Sequence, residues 1–355
     1  MAEFGVYVHI PFCRSRCDYC AFATWTDRGH LVDAYVDAVV TDIRRAVADG
    51  IPAADTVFFG GGTPTLIDPA LIARTIEAIP LSMDPEITVE CNPDDVTPEL
   101  MRTYASAGVN RVSIGVQSMV THVLSALGRH HDQSNVEIAV ECARSAGIER
   151  INLDLIYGSV GESLDDWSTT VSAALALRPT HVSAYGLTVE AGTPLAEDPA
   201  RHPDDDEQAD KYIAADDLLT GAGLVNYEIS NWALPGHECR HNMVYWDQGN
   251  YRGFGCAAHS HDSGHRWWNV RTPDRYIDLV AAGESVMAAD EHLEPSVREF
   301  ERLELSLRTR RGVPASTLDT ESGVLDGLVE VTDGRAVLTR NGRLLANEIS
   351  TRLNP

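Results

Sequence analysis

Residues 7 to 20 read Tyr7-Val8-His9-Ile10-Pro11-Phe12-Cys13-Arg14-Ser15-Arg16-Cys17-Asp18-Tyr19-Cys20, with three cysteines in the spacing C-x3-C-x2-C. Cysteine thiolates are the usual ligands of a [4Fe-4S] cluster, so three neighbouring cysteines can hold three irons and leave the fourth iron open. An open iron can bind a small molecule and pass it an electron. The spacing therefore predicts a cluster that is bound by Cys13, Cys17 and Cys20.

A structural zinc site is the alternative use of these cysteines, with His9 as a fourth ligand. Zinc ligands normally come as two close pairs that lie far apart in the chain. The C-x3-C-x2-C spacing does not match that pattern, and it favours the cluster. The remaining cysteines are scattered singly and form no second cluster motif; they are Cys91, Cys142, Cys239 and Cys256.

Composition narrows the functional class. The chain has 355 residues, of which 44% are hydrophobic, so it can bury a large core. Its 28 basic and 53 acidic residues give a net charge of -25, which would repel a phosphate backbone and predicts that nucleic acid is not a partner. The sequence shows no disulfide pattern, signal peptide or membrane-spanning segment. We therefore expect a cytoplasmic protein.

Short β-branched segments alternate with longer amphipathic segments in the first half of the chain. We interpret the short segments as buried strands, at Val6 to Ile10, Thr56 to Phe59, Glu86 to Glu90, Arg111 to Val116, Arg150 to Leu155 and His181 to Leu187. The amphipathic segments predict helices, at Leu31 to Ala48, Pro69 to Ala78, Pro98 to Ala107, Ser134 to Ala146 and Leu164 to Leu177. This alternation predicts an α/β fold, a partial (β/α)6 barrel with its site at the carboxyl ends of the strands.

The second half has a different composition. A segment rich in proline and aspartate, at 196–210, separates the barrel, predicted over 1–200, from an extension over 201–285 that is rich in glycine, histidine and tryptophan. The last part, 286–355, is predicted as a smaller α+β domain. Its order is a helix near Val297, a short helical pair, two strands that turn at Asp333-Gly334, and a final helix, which resembles a winged helix. Because the chain is acidic, we expect this part to serve packing or interaction rather than DNA binding.

A glycine triplet, Gly60-Gly61-Gly62, follows the second predicted strand and leads into Thr63-Pro64. Glycines at this place let the backbone approach a ligand, whose amino or phosphate group exposed backbone atoms can bind. A tight turn is the alternative reading of the triplet alone. One strand after the cysteine loop, the triplet favours a cofactor site.

The cysteine loop, Tyr19 before the last cysteine, and the glycine triplet together resemble the radical S-adenosylmethionine enzymes. The resemblance implies a partial barrel in which the methionine group of S-adenosylmethionine chelates the open iron, and it implies the chemistry of a 5'-deoxyadenosyl radical. Carried over position by position, the resemblance to the oxygen-independent coproporphyrinogen III oxidase-like branch of these enzymes implies S-adenosylmethionine contacts from Tyr7, Tyr19, Gly61, Gly62, Thr63, Glu90, Gln117, Arg129 and Asp154. Carboxylates suit the amine and the ribose hydroxyls, and a guanidinium suits the methionine carboxylate.

A closer resemblance covers nearly the whole chain and is to the oxygen-independent coproporphyrinogen III oxidases and their HemW-type heme-chaperone relatives. It rests on five segments, Tyr7 to Cys13, Phe59 to Thr65, Val89 to Pro93, Ser113 to Ser118 and Asn152 to Gly158. The oxidases carry a further cysteine two positions after the third ligand, where this chain has Phe22, and a longer segment before the cluster. Both departures are typical of the heme-chaperone branch.

A second signature lies in His241-Asn242-Met243-Val244-Tyr245-Trp246, which resembles the HNxxYW motif linked to heme binding in that branch. A neutral imidazole is a standard axial ligand of heme iron, and the aromatic neighbours can cover a flat macrocycle. His241 is therefore the predicted heme ligand. The alternatives are a histidine that serves only the core, or ligation by nearby residues, namely His259, His261, His265 or Cys239.

The resemblance implies a heme chaperone with three cofactors or cargoes, a [4Fe-4S] cluster, S-adenosyl-L-methionine and heme. Its expected partners are apo-hemoproteins as recipients and a reductant protein or NADH, and a homodimer is compatible with it. The chain is not expected to act as a coproporphyrinogen oxidase. Three other hypotheses remain. The chain could be a coproporphyrinogen oxidase, which converts propionates to vinyl groups, a radical methylase or heme-degrading relative, or a nucleic-acid-binding protein.

Overall fold

The structure is a computed structural model and describes residues 3–320 and 323–354. Its strands are β1 (Gly5–Ile10), β2 (Ala54–Gly61), β3 (Leu81–Cys91), β4 (Arg111–Gln117), β5 (Arg150–Tyr157), β6 (His181–Gly186), β7 (Val225–Glu228), β8 (Asn231–Ala233), β9 (Tyr251–Phe254), β10 (His259–Asp262), β11 (His265–Asn269), β12 (Met287–His292), β13 (Val313–Pro314), β14 (Val329–Thr332) and β15 (Arg335–Leu338). Its helices are α1 (Val32–Ala48), α2 (Pro69–Ala78), α3 (Pro98–Ser106), α4 (Thr121–Ala126), α5 (Gln133–Ser145), α6 (Leu164–Ala176), α7 (Asp205–Gly221), α8 (Arg240–Trp246), α9 (Pro273–Ala282), α10 (Pro295–Leu307), α11 (Arg340–Leu344) and α12 (Ala346–Ser350).

Strands β1 to β6 lie side by side in chain order, and every neighbouring pair is parallel. At least one helix follows each of the first five strands, which confirms the predicted α/β fold of six units. The strand faces that carry Val6, Val8, Val57 and Val89 are fully buried against the helices, because the β-branched side chains pack in the core there. Strand β3 begins five residues before its predicted start, since Leu81 pairs with Ala54 across an irregularity in register.

The extension adds strands at both edges of this sheet, which the sequence patterns did not predict. Strands β8 and β7 add antiparallel next to β6, while β9 adds parallel to β1 and continues into β10, β11 and β12. The result is one sheet of twelve strands. Strand β12 pairs with β11 and so belongs to this sheet, although it follows the boundary predicted at 286.

Residues after 294 form a second hydrophobic core, with Leu303, Leu307 and Ile349 among its buried members. Here α10 packs with the sheet β13-β15-β14 and the two final helices, and the turn between β14 and β15 falls at Asp333-Gly334, as predicted. Between α10 and β14, the described residues contain strand β13 and one short 3-10 turn (Ala315–Thr317) where a short helical pair was predicted, and two helices, α11 and α12, follow β15 where one was predicted. The winged-helix-like arrangement stays a prediction. Within the described residues, no helix has the length and apolar character needed to cross a membrane.

Candidate functional site

The three cysteines lie half-buried on the loop between β1 and α1. Backbone hydrogen bonds hold this loop, because Cys13 N–H donates to the Trp25 carbonyl and Cys20 N–H to the Cys17 carbonyl, both at 3.1 Å. Desolvation raises the pKa of the Cys13 and Cys20 thiols. Iron binding, which needs thiolates, would therefore release protons from this loop.

The hydrogen bonds of His9 argue against the zinc alternative. Its Nδ1 lies 2.9 Å from the Tyr7 hydroxyl and its Nε2 lies 2.8 Å from the Ala23 carbonyl oxygen, so both ring nitrogens are engaged within the protein. Among the described residues, three or more potential ligand atoms lie within 4.8 Å of one another only at His265, Asp290 and His292. His9 and the three cysteines thus do not form a set ready to hold a single tetrahedral ion.

The glycine triplet at the end of β2 packs directly against the start of the cysteine loop. A Cβ at Gly61, which has a φ of +108°, would lie 2.3 Å from the His9 ring, and one at Gly62 would lie 2.7 Å from two carbonyl oxygens of the loop. Only glycine permits this approach. As a consequence, the Thr63 hydroxyl lies 3.6 Å from the sulfur of Cys13.

Two acidic side chains, on β3 and β5, interact across the intervening strand β4. Glu90 accepts a hydrogen bond of 3.0 Å from Gly61 N–H, and Asp154 accepts bonds of 2.7 Å from Ser113 and from Asn152. Desolvation, together with the charge of Asp154, raises the pKa of Glu90 to about 8. Desolvation also raises the pKa of Asp154. Two desolvated carboxyl groups that repel each other are suited to a ligand with an amine or hydroxyls.

Arg129, in the segment after α4, joins the cysteine loop to the strand ends. Its guanidinium donates to the Asn92 side chain at 2.8 Å and to the Gly115 carbonyl at 3.1 Å, and it lies 3.6 Å from the sulfur of Cys17. Sequence reasoning missed Asn92, although its position directly after β3 was a usable signal. Gln117 ends β4 with a φ of +62°, a conformation that few residues other than glycine adopt.

The remaining predicted contacts also lie around this end of the barrel. Tyr19, on the cysteine loop, packs in a small cluster with Leu127 and Leu195, and desolvation raises its pKa. Tyr7 stacks on Phe58, with ring centroids 6.4 Å apart. The structure thus brings the predicted residues to one end of the sheet, and their roles toward a cofactor stay predictions.

His241 lies elsewhere, on α8 near the amino ends of β1 and β2. Its Nδ1 is 2.8 Å from the Thr56 hydroxyl, its Nε2 is 2.8 Å from the Tyr245 hydroxyl, and its ring stacks on Phe58. The side chain is 1% exposed, and desolvation and the Arg111 charge lower its pKa to about 3. His241 is therefore a neutral imidazole with both nitrogens occupied.

An open cavity of about 510 Å³ separates α8 from the cysteine loop. Its walls include Tyr7, the cysteine-loop residue Phe22, and the aromatic residues Tyr245 and Tyr251. Phe22 is 68% exposed, so a ligand in the cavity can contact its ring. Two imidazoles also line the cavity, those of His9 and His259. Its size falls in the range of small-molecule sites, and its walls suit a flat apolar ligand.

The family model of the radical SAM superfamily matches residues 7–174, a range that contains the cysteine loop, the glycine turn and the acidic pair. A protein of Mycobacterium tuberculosis named heme chaperone HemW is 40% identical, covering 98% of this chain and 93% of that protein. A HemW of Bacillus subtilis is 34% identical and covers 97% of each chain. The chain therefore belongs to the HemW family.

The solved structure of the coproporphyrinogen III oxidase HemN from Escherichia coli, a radical SAM enzyme, has the same fold. The likeness covers 98% of this chain and 89% of that chain with a TM-score of 0.84. Sequence identity is 23%, so the likeness concerns the fold alone.

Proposed function

We propose that this chain is a heme chaperone that holds heme in the cavity beside the cysteine loop and passes it to apo-hemoproteins. Similarity over nearly the full length to proteins named heme chaperones supports the class. One geometric observation carries the proposal. The cavity of about 510 Å³ has aromatic walls from both the cysteine loop and α8, so one ligand can contact both sequence signatures.

The cysteine loop and strand ends fit the cofactors of the superfamily. Cys13, Cys17 and Cys20 would hold a [4Fe-4S] cluster, and the predicted contact residues described above would hold S-adenosylmethionine. When bound, the cluster supplies an electron and an open iron for the methionine group. The protein's own contribution is to present thiols, desolvated carboxyls and the Arg129 guanidinium at one end of the barrel. A reductant protein or NADH would serve as electron source, and the cytoplasm would be the compartment.

Heme uptake is the direct test. The full-length protein is reconstituted with iron and sulfide without oxygen and titrated with hemin while the visible spectrum is recorded. A saturable Soret change at one heme per chain supports the proposal. Transfer of that heme to an apo-hemoprotein, followed by the recipient's spectrum, tests delivery. The absence of saturable uptake by folded protein contradicts the proposal.

The reaction products distinguish the oxidase hypothesis from the heme-chaperone hypothesis. The reconstituted protein is incubated with coproporphyrinogen III, S-adenosylmethionine and a reductant, and the porphyrins are separated chromatographically. We expect no conversion of propionates to vinyl groups, since Phe22 stands where the oxidases carry a further cysteine. Vinyl products would favour the enzyme.

A further inference from the structure

The histidine of the HNxxYW segment does not face the cavity that its motif should serve. Both ring nitrogens of His241 are hydrogen-bonded at 2.8 Å, and its side chain is 1% exposed. An iron ion could reach Nε2 only after the bond to Tyr245 breaks and Tyr245 moves aside. Such a change would leave the Tyr245 hydroxyl without this partner, which costs free energy. His241 is therefore a poor iron ligand in this conformation.

The cavity itself offers two imidazoles, and they differ in availability. The nitrogens of His9 are engaged by the Tyr7 hydroxyl and the Ala23 carbonyl. The ring of His259 is exposed, and among the described residues its nitrogens have no recorded hydrogen bond. It stacks on the Trp268 ring, with centroids 5.7 Å apart and planes 25° apart, which restrains its orientation. His259 is thus the imidazole that a ligand in the cavity can reach.

The cavity walls around His259 are largely aromatic. Tyr245 and Tyr251 meet edge to face, with centroids 4.7 Å apart, and Phe22 covers the side of the cysteine loop. Flat aromatic surfaces of this kind pack well against a macrocycle. A neutral imidazole at the wall could then donate a lone pair to the iron and displace a water from hemin, with no bond within the protein broken.

Building on the proposed function, we propose that His259 is the axial iron ligand and that His241 is a positioning residue that acts through Tyr245. The hydrogen bond between His241 and Tyr245 fixes the Tyr245 hydroxyl, and the Tyr245 ring forms part of the cavity wall. Loss of the His241 imidazole would release this wall without removing the ligand. The HNxxYW segment then shapes the heme site by holding a wall residue in place, without ligating the iron.

The test compares hemin titrations of reconstituted full-length protein with those of His259→Ala, His241→Ala and Tyr245→Phe. An exposed histidine outside the cavity, replaced in His30→Ala, is the matched control, and circular dichroism checks folding. The titration gives the dissociation constant of hemin. The Soret band and the electron paramagnetic resonance spectrum report the axial ligand of the iron. Free imidazole is then added to each variant.

We expect His259→Ala to lose the imidazole signature, to bind hemin at least about tenfold more weakly, and to regain the parental spectrum with imidazole. His241→Ala and Tyr245→Phe should keep the parental ligation with a higher dissociation constant, and His30→Ala should match the parent. A parental spectrum in His259→Ala with loss of ligation in His241→Ala would overturn the inference and leave the heme-carrier function intact. Failure of the parent itself to bind hemin would overturn both.

Discussion

The backbone N–H of Gly61 donates a hydrogen bond of 3.0 Å to the side chain of Glu90, which joins the glycine turn after β2 to the end of β3. Glu90 also faces Asp154, so the turn lies beside two desolvated carboxyl groups. This arrangement costs stability when the acids are ionised and provides acceptors for a ligand.

Glu90→Gln should stabilise the cluster-free protein in a pH-dependent way. The parental carboxyl is protonated in both folded and unfolded chains below its ordinary pKa of 4.5, and the folded chain keeps the proton up to a pKa of about 8. Between these values only the unfolded chain loses the proton, so stability falls with rising pH by up to ~1.4 kcal/mol per unit. Glutamine keeps the hydrogen bond from Gly61 and removes this loss.

The measurement is urea unfolding of parent and Glu90→Gln, with exposed Glu99→Gln as control, near pH 6 and pH 8. The advantage of Glu90→Gln over the parent should grow between the two pH values. At pH 8, where a large share of the parental carboxyl is ionised, the same variant should bind S-adenosylmethionine about tenfold more weakly or worse, because a charged acceptor is lost. An advantage that shrinks with pH would contradict the assigned pKa.

Cys17→Ser should abolish cluster binding. The sulfur of Cys17 lies on the half-buried loop beside Arg129, and a hydroxyl is a poor ligand for iron. The control is Cys142→Ala, since Cys142 is a buried cysteine on α5. Iron and acid-labile sulfide are assayed after anaerobic reconstitution, together with zinc. Roughly four irons per chain are expected in the parent and the control and almost none in Cys17→Ser; stoichiometric zinc in the parent would sink the cluster interpretation.

Arg129→Gln should weaken S-adenosylmethionine binding by about 10- to 100-fold, because a charge-assisted hydrogen bond to a carboxylate is worth about 1.5–3 kcal/mol. Glutamine preserves some of the bonding to Asn92 and Gly115, so the local fold should survive. Equilibrium dialysis of the reconstituted protein measures the affinity. The exposed Arg102→Gln on α3 serves as the charge-matched control. Equal affinities for the two variants would remove Arg129 from the ligand site.

Asp216→Asn should destabilise the contact between α7 and the C-terminal part by about 2–4 kcal/mol. Asp216 accepts from Arg343 at 3.0 Å and 3.2 Å and from the buried Trp232 at 2.8 Å. Its neighbour Asp217 pairs with Arg340 at the surface, so Asp217→Asn should cost less than about 1 kcal/mol. Urea unfolding of the two variants gives the comparison, and similar losses in both would show that burial does not set the strength of these pairs.

Local patterns predicted most elements of the barrel. The β-branched strands and helical spacings predicted β1 to β6 and five helices, because fully buried parallel strands and amphipathic helices leave short-range signatures. The six-residue helix α4 was missed, since it is too short to show a helical period. Strands β9 to β11 were missed, since the segment from Asn226 to Asn269 is rich in glycine and polar aromatic residues and lacks clear alternation. The pairing of β9 with β1, across more than half of the chain, has no local signal.

The sequence by itself determined the cysteine spacing, the glycine turn and the order of strands and helices, because each depends on residues close together in the chain. Only the tertiary structure decided which histidine faces the cavity. Thr56, 185 residues before His241, occupies one nitrogen of that ring, and Tyr245 occupies the other, while His259 stays exposed. The burial and the hydrogen-bond partners of a side chain are set by long-range packing, so a local sequence motif cannot predict them.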